Sequence, residues 1–304
     1  MKVKTKDLLT LNELSKNELL GLVNEAIKLK KDLKKGICKP LLKNKTLAMI
    51  FQKPSTRTRV SFETGVFQLG GYALNLSADD LQLKRGETIE DTAKTLSRYV
   101  DMIMARVYSH DELEILAKNS TVPVINGLSD SFHPCQILAD LMTIKEKKKK
   151  LEGLKIAWIG DGNNVCNSMI YGCALAGVKI SIATPKGFEP DKSVIRDSQT
   201  FIDINLTTDP VNAIKNADVV VTDTYSSIHN IDSKRINKFL PKYQINQTLM
   251  KNAQTAAIFM HCLPAKRESE VTSFVIDGSQ SVVWDEAENR LHTQKALLVS
   301  LIRA

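Results

Sequence analysis

The chain has 304 residues, of which 43% are hydrophobic and 25% charged, and its formal net charge is +8. This length predicts about two domains, and the apolar content excludes a disordered or fibrous protein. No apolar run approaches the roughly 20 residues that a membrane-spanning helix requires, so we expect no membrane span.

The positive charge by itself would suit a nucleic acid, an anionic membrane or a small anionic substrate. Its densest cluster, residues 145–150, contains five lysines and no interleaved aromatic residue. We interpret this cluster as a solvated helix end and expect no nucleic-acid partner. The five cysteines contain no C-x-x-C pair, which predicts neither a disulfide framework nor a zinc site and favours the cytoplasm; they are Cys38, Cys135, Cys166, Cys173 and Cys262.

The first half of the chain alternates between helical and strand-like patterns. Leucines at helical spacing predict a helix within residues 12–35, with Ser15 as its N-cap. A buried strand is predicted at 46–51, followed after Pro54 by a helix that ends at Gly70 and Gly71. Further strands are predicted at 72–76, 101–106 and 122–125.

The same alternation starts again after the lysine cluster. Strands are predicted at 155–159, 178–183, 218–222, 256–260 and 281–284, with helices at 164–176 and 286–303. The whole pattern predicts an α/β protein of two doubly wound parallel-sheet domains, with helices on both faces and inter-domain helices joining them. The predicted domains are residues 1–135 and 150–285, with the terminal helix 286–304 packing back on the first.

The segment 51–63 carries the strongest chemical signal. Ser55, Thr56, Arg57 and Thr58 follow a strand and a proline, at the point where a helix begins. Free N–H groups at a helix N-terminus, hydroxyl donors and a guanidinium fork together favour a phosphate-binding site. The alternative is a capped helix with surface arginines.

Four motifs in chain order resemble those of the aspartate/ornithine carbamoyltransferase family. Residues 55–63 are similar to its carbamoyl-phosphate loop, and His133, Pro134 and Gln136 begin an H-P-x-Q-x-L-x-D element that ends at Asp140. Residues 261–264 match the H-C-L-P element of the ornithine branch, and residues 285–290 resemble the stretch before its last helix. The resemblance therefore spans residues 51–290.

The resemblance implies how the first domain binds carbamoyl phosphate. Ser55, Thr56, Arg57 and Thr58 would hold the phosphate, and Arg106 would bridge the phosphate and the carbonyl. Gln136 would contact the carbamoyl group, and Arg290 would close over the phosphate. His133 and Arg106 would stabilise the oxygen as it becomes anionic, which is commonly the largest catalytic contribution.

The resemblance also implies an oligomer. Gln82 lies in a charged loop after the second strand, and in the family this loop reaches into a neighbouring subunit's site. We therefore expect a homotrimer or a multiple of one, with the Gln82 loop shared between subunits. By itself, the loop reads as a charged surface turn.

The second domain carries the residues that would choose the amine. The turn GDGNN at 160–164 suggests a dinucleotide fold, but its third glycine is absent and no acidic residue follows the next strand. In the family the second asparagine of a similar turn, here Asn164, meets the amino-acid end of ornithine. Ser227 and Ile228 stand in a segment that resembles the ornithine-binding loop, although Tyr225 replaces Trp, Ile228 replaces Met and His229 replaces Gly.

Asp223 and Cys262 are the implied acid–base pair. The attacking group in this family is the neutral δ-amine of the substrate, so Asp223 and Cys262 would orient it and accept or relay its proton. Cys262 and Leu263 would also contact carbamoyl phosphate. The resemblance implies no metal and no organic cofactor.

Together these features favour transfer of the carbamoyl group of carbamoyl phosphate to L-ornithine, giving L-citrulline and phosphate in arginine metabolism. Aspartate is a weaker alternative substrate, since Ala265 stands where that branch has the arginine that binds a dicarboxylate. Putrescine and N-acetylornithine remain alternatives because of the altered 225–229 loop. From other classes, a nicotinamide dehydrogenase and a non-catalytic anion- or nucleic-acid-binding protein stay open.

Overall fold

The computed structural model describes residues 2–77, 81–225 and 233–302. They form two compact units, one up to Met142 together with the chain from Glu288 onward, the other Thr143–Ala287. The domain boundaries suggested by the sequence, at residues 135 and 150, stay a prediction. Every helix in these described ranges is too short or too polar to cross a membrane.

The first unit is built on a four-stranded parallel sheet of order β2-β1-β3-β4. Its strands are β1 (Thr46–Phe51), β2 (Tyr72–Ser77), β3 (Met102–Arg106) and β4 (Val124–Leu128). The helices that begin in this unit are α1 (Lys16–Lys34), α2 (Thr56–Gln68), α3 (Ile89–Leu96), α4 (His110–Asn119) and α5 (Pro134–Lys148), with 3-10 turns at Leu11–Glu13 and Gln82–Arg85. The two central strands are almost fully buried, as expected of parallel strands covered on both faces.

The second unit has a five-stranded parallel sheet of order β7-β6-β5-β8-β9. Its strands are β5 (Lys155–Ile159), β6 (Lys179–Ala183), β7 (Ile204–Thr207), β8 (Val219–Thr222) and β9 (Ile258–His261). Its helices are α6 (Asn164–Ala176), α7 (Lys192–Ser198), α8 (Pro210–Ile214), α9 (Ser233–Phe239), α10 (Gln247–Met250) and α11 (Ser273–Ile276), and α12 (Val283–Ile302) continues into the first unit. The parallel-sheet α/β architecture confirms the predicted fold class.

One strand predicted from the sequence is absent from the described residues, and one strand that forms was not predicted. The predicted strand at 281–284 does not form: Ser281 makes an isolated bridge to Phe259, and α12 begins two residues later. Asp285 and Glu286 in the first turn of α12 suit a helix N-terminus, which explains why the apolar pair before Trp284 joins a helix. The missed strand is β7, a short edge strand in which no residue is fully buried.

Strand order reverses once in each sheet, and this reversal positions the candidate site residues. In the first sheet, β2 lies on one side of β1 and β3 on the other. In the second sheet, β6 lies on one side of β5 and β8 on the other. Loops that follow adjacent strands on opposite sides of such a switch point diverge, which opens a crevice at the carboxyl edge of the sheet. The loops after β1, β3, β5 and β8 are those at the two switch points.

Gly162, in the loop after β5, lies too close to a neighbouring backbone segment to carry a side chain. A Cβ at Gly162 would lie 2.2 Å from the backbone nitrogen of Pro190 and 2.6 Å from the carbonyl oxygen of Phe188. We therefore expect Gly162→Ala to lower the free energy of unfolding by about 3 kcal/mol, because the backbone must move. Gly153 has a positive φ, but no atom lies within 4 Å of a Cβ built there. Gly153→Ala should therefore lower the free energy of unfolding by only about 1 kcal/mol.

Scanning calorimetry of the two variants measures this difference. A Gly162→Ala protein that unfolds at the same temperature as Gly153→Ala would contradict the close approach.

Candidate active-site residues

The helix that begins after Ser55 presents an anion-binding end in the first unit. Ser55 is the N-cap of α2, and its Oγ accepts a hydrogen bond from Thr58 N at 3.4 Å. Thr56 and Arg57 are exposed in the first turn, whereas Thr58 is buried. The N–H groups of this turn and the positive end of the helix dipole favour an anion there.

Arg106 lies beside this helix start because of the sheet register. It ends β3 opposite Phe51, the last residue of β1. Its carbonyl oxygen accepts a hydrogen bond from Gln52 N at 2.9 Å, so the two loops start together at the carboxyl edge. The switch point thus brings Arg106 to the segment that carries Ser55 and Arg57.

His133 is buried directly before α5, among positive charges. Burial lowers the pKa of His133 well below its usual range, and the guanidinium groups of Arg290, Arg106 and Arg57 lower it further. The imidazole is therefore neutral at neutral pH and can act as a hydrogen-bond donor or acceptor without carrying charge. The structure brings together four residues that the sequence placed in one site.

Arg290 forms buried hydrogen bonds to two other predicted site residues, Gln136 and Thr58, and Gln136 continues the network to Asp140. Its Nη1 donates to Gln136 Oε1 at 2.6 Å, and its Nη2 donates to Thr58 Oγ1 at 3.2 Å. Gln136 Nε2 in turn donates to Asp140 Oδ1 at 2.8 Å. These hydrogen bonds join α12, α5 and α2 next to His133.

Lys53 is a residue that the sequence analysis missed. It is 1% exposed, and its Nζ lies 4.2 Å from the centroid of the Tyr108 ring. The pKa of Lys53 is lowered to about 8, mainly by burial and also by the charge of Arg106, whereas Asp130 and Glu112 act in the opposite direction. Its only sequence signal is its place two residues before the helix N-cap.

Gln82 stands apart from these residues in the described contacts of the first unit. It is exposed at the start of a 3-10 turn, and its carbonyl oxygen accepts a hydrogen bond from Glu87 N at 3.2 Å. Its predicted role in a neighbouring subunit's site stays a prediction.

The second unit centres its candidate site on Asp223, which is buried directly after β8. Its Oδ1 accepts hydrogen bonds from the Cys262 thiol at 3.1 Å and from Thr224 N at 2.7 Å. Its Oδ2 accepts one from Asn163 Nδ2 at 2.7 Å. All three described donors are neutral, so they orient the carboxylate without cancelling its charge.

The asparagine that contacts Asp223 is the first of the pair, not the second. Asn163 caps α6, and its Oδ1 accepts hydrogen bonds from Val165 N and Cys166 N at 3.0 and 3.1 Å. Asn164, the predicted ornithine-binding residue, is half-buried as the first residue of α6. Asn163 was not among the predicted site residues, although an asparagine before a helix is a strong capping signal.

Cys262 reaches Asp223 because β9 lies next to β8. Thr222 and His261 are partners in the register, so the residues after them emerge side by side. His261 is fully buried, with Nδ1 accepting from Leu263 N at 2.8 Å and Nε2 lying 3.3 Å from Glu270 Oε1. These bonds hold Leu263 at a φ of 58°.

The described residues contain one cluster of three side chains of the types that bind metal ions. Ligand atoms of Asp223, His261 and Cys262 lie within 4.8 Å of one another. Both ring nitrogens of His261 already face protein partners, and the Cys262 thiol donates to Asp223. The geometry is that of an internal hydrogen-bond network, and the expectation of no metal stays a prediction.

Ser227 and Ile228, the other predicted ornithine-binding residues, lie outside the described residues. Tyr225, which replaces the family's Trp, is buried: its ring stacks on Phe239 with centroids 4.4 Å apart, and its hydroxyl donates to the carbonyl oxygen of Tyr243. Tyr225 therefore belongs to the hydrophobic core of the second unit.

Comparison with known proteins agrees with both halves of this arrangement. The family model of the aspartate/ornithine carbamoyltransferase carbamoyl-P binding domain matches residues 6–146, and that of the Asp/Orn binding domain matches residues 152–301.

Individual relatives match over almost the whole chain. An ornithine carbamoyltransferase of Cenarchaeum symbiosum is 62% identical over 301 residues, with 99% of each chain covered. One of Carboxydothermus hydrogenoformans is 54% identical and covers 98% of this chain and 97% of its own. The solved ornithine carbamoyltransferase of Pyrococcus furiosus superposes with a TM-score of 0.93 at 52% identity, covering 96% of this chain and 95% of its own. Because the two family models match both units and these relatives are more than half identical over nearly the whole chain, this chain belongs to the aspartate/ornithine carbamoyltransferase family.

Proposed function

We propose that this chain is an enzyme that transfers the carbamoyl group of carbamoyl phosphate to the δ-amine of L-ornithine, releasing L-citrulline and phosphate. The observation that carries the choice of amine is Asp223, a buried carboxylate whose described donors are neutral. Its negative charge is available to a cationic amine and would repel the dicarboxylate of aspartate. The near-identical length and fold of ornithine carbamoyltransferases support the same choice.

The first unit would supply the binding site for carbamoyl phosphate. The start of α2 and Arg57 hold the phosphate, and Arg106 and His133 donate to the carbonyl oxygen. When the amine attacks, a C–N bond forms and the carbonyl oxygen becomes anionic. Donors fixed in advance stabilise that charge. The bond from carbon to the phosphate oxygen then breaks, and the guanidinium groups stabilise the departing phosphate.

The second unit would supply the acid–base chemistry. Ornithine arrives with a protonated δ-amine, which cannot attack until it loses a proton. Asp223 attracts the cation, and Asp223 with Cys262 accepts or relays the proton as the C–N bond forms. Asn164 would meet the amino-acid end of the substrate, and Ser227 and Ile228 would also bind ornithine. Leu263 would offer its carbonyl oxygen to the carbamoyl nitrogen.

The setting of the reaction is also part of the proposal. We place it in arginine metabolism and in the cytoplasm, where five cysteines without a disulfide are expected. The active form would be a homotrimer, or a multiple of one, in which Gln82 reaches the site of a neighbouring subunit. No metal or organic cofactor would take part.

A citrulline assay on paired variants tests the division of roles. Arg57→Ala should lower kcat/KM for carbamoyl phosphate about 100-fold, because a charged phosphate contact is lost. Asp223→Asn should abolish ornithine turnover yet leave inhibition by inorganic phosphate unchanged, since the anion site is intact. The exposed Arg98→Ala and Asp203→Asn are the matched controls.

Aspartate, putrescine and N-acetylornithine serve as comparison substrates, and ornithine should be used at least about 100-fold better than each. Wild-type protein that forms no citrulline, or paired variants as active as wild type, would refute the proposal.

Lys53 predicts a specific pH dependence. With a pKa of about 8 in the free protein, Lys53 is charged at pH 7 and largely neutral at pH 9. A bound phosphate favours the charged form, so kcat/KM for carbamoyl phosphate should fall about tenfold from pH 7 to pH 9. Lys53→Met should remove this fall, whereas Lys118→Met, an exposed lysine of the same unit, should keep it. An identical profile in Lys53→Met and wild type would exclude Lys53 from anion binding.

The shared loop can be tested by mixing two inactive variants. Each Arg57→Ala subunit has an intact Gln82, and each Gln82→Ala subunit has an intact Arg57. If Gln82 serves a neighbouring site, refolding an equal mixture should restore about a quarter of wild-type activity. Light scattering checks that the mixture has the mass of the wild-type oligomer. Activity no higher than that of the separate variants would mean that Gln82 acts within its own subunit or not at all.

A further inference from the structure

We propose that Arg235 is a positioning residue for the amine-binding site of the second unit: by joining Asp161 to the backbone of Tyr225, it holds both segments that set the Asp223 carboxylate. This inference rests on the proposed function and extends it to a residue on α9, outside the motifs that carry the family resemblance.

Arg235 uses different parts of one guanidinium group for three partners. Its Nη2 forms an ion pair with Asp161 Oδ2, and its Nε donates to the carbonyl oxygen of Tyr225 at 3.1 Å. The guanidinium carbon lies 4.7 Å from the centroid of the Phe188 ring. A planar group with donors in fixed directions can satisfy all three at once, which a lysine cannot do.

The partners of Arg235 flank Asp223 along the chain and across the sheet. Tyr225 stands two residues after Asp223, in the loop after β8. Asp161 stands two residues before Asn163, whose side chain donates to Asp223 Oδ2. The Asp161 side of this turn is fixed as well, since the carbonyl oxygen of Asp161 accepts from Trp158 Nε1 at 2.9 Å. Arg235 therefore ties together the two loops that orient the carboxylate.

Arg235 also separates the roles of two neighbouring carboxylates. The pKa of Asp161 is raised to about 6, mainly by burial and further by the charge of Asp223, against the lowering effect of Arg235. Asp161 and Asp223 thus lie close enough to repel each other. Because Arg235 neutralises Asp161, Asp223 is the carboxylate left to attract a cationic substrate.

A purely structural ion pair would affect stability alone, whereas a positioning residue affects one substrate selectively. We expect Arg235→Lys to raise the KM for ornithine about tenfold, because the simultaneous contacts to Asp161 and Tyr225 are lost. The KM for carbamoyl phosphate, which reports on the first unit, should stay within about twofold. Arg196→Met is the control: this exposed arginine of the same unit pairs with the adjacent Asp197 at 3.2 Å, and its loss should change neither KM.

A double variant separates positioning from folding. Arg235→Met leaves Asp161 buried without its partner and should lower the melting temperature. Adding Asp161→Asn removes that unpaired charge and should restore much of the melting temperature. The KM for ornithine should stay raised, because the tether to Tyr225 is still absent. If Arg235→Met does not fold, Arg235→Lys and the double variant carry the test.

The outcomes distinguish this inference from the function on which it rests. Wild-type protein that makes no citrulline refutes the proposed function and this inference with it. Active wild type with an unchanged ornithine KM in Arg235→Lys, or a double variant whose KM recovers with its stability, refutes the role of Arg235 alone. A rise in both KM values by the same factor would likewise show a general structural effect.

Discussion

Guanidinium groups gathered around a buried histidine are the constraint on which the first unit depends. Arg57, Arg106 and Arg290 each lower the pKa of His133, and Arg106 also lowers that of Lys53. Like charges at short range in a partly desolvated site repel one another, and the packing of the sheet and helices must offset that repulsion. A bound dianion would relieve it, so this unit is organised for an anion before one arrives. Binding would therefore stabilise the fold as well as hold the substrate.

In the second unit the repulsion is between two negative charges. Two carboxylates, Asp161 and Asp223, lie near each other at the switch point of its sheet. The fold gives them different partners: Asp161 meets the cation of Arg235, and Asp223 meets the amide, the thiol and a backbone N–H group. The same residue type is thus neutralised at one position and left charged at the other. Neutral donors orient a carboxylate without consuming its attraction for a cation, which suits an amine substrate.

Several candidate site residues could be predicted from the sequence because they stand in short-range sequence patterns. Ser55 to Thr58 combine a strand end, a proline and a helix start, and each of these is a short-range signal. Asp223 and Cys262 follow strands whose apolar runs are easy to recognise. The contacts of Asn163 with Asp223 and of Lys53 with Tyr108 could not be predicted, because these partners are 60 and 55 residues apart in the chain. The predicted strand at 281–284 failed because two valines next to acidic residues suit a helix start as well as a strand end.

What the sequence determined by itself was the periodicity, and with it the strands, the helices and the α/β class, because side-chain spacing of two or 3.6 residues dictates local structure. It also determined the family, through four motifs in order. The tertiary structure alone decided which side chains meet: the register of β1 with β3 and of β8 with β9 places Arg106 beside the α2 start and Cys262 beside Asp223. Strand order and register arise from packing across the whole sheet, and no local pattern encodes them. The pKa values follow from that packing, because burial and neighbouring charge act through space rather than along the chain.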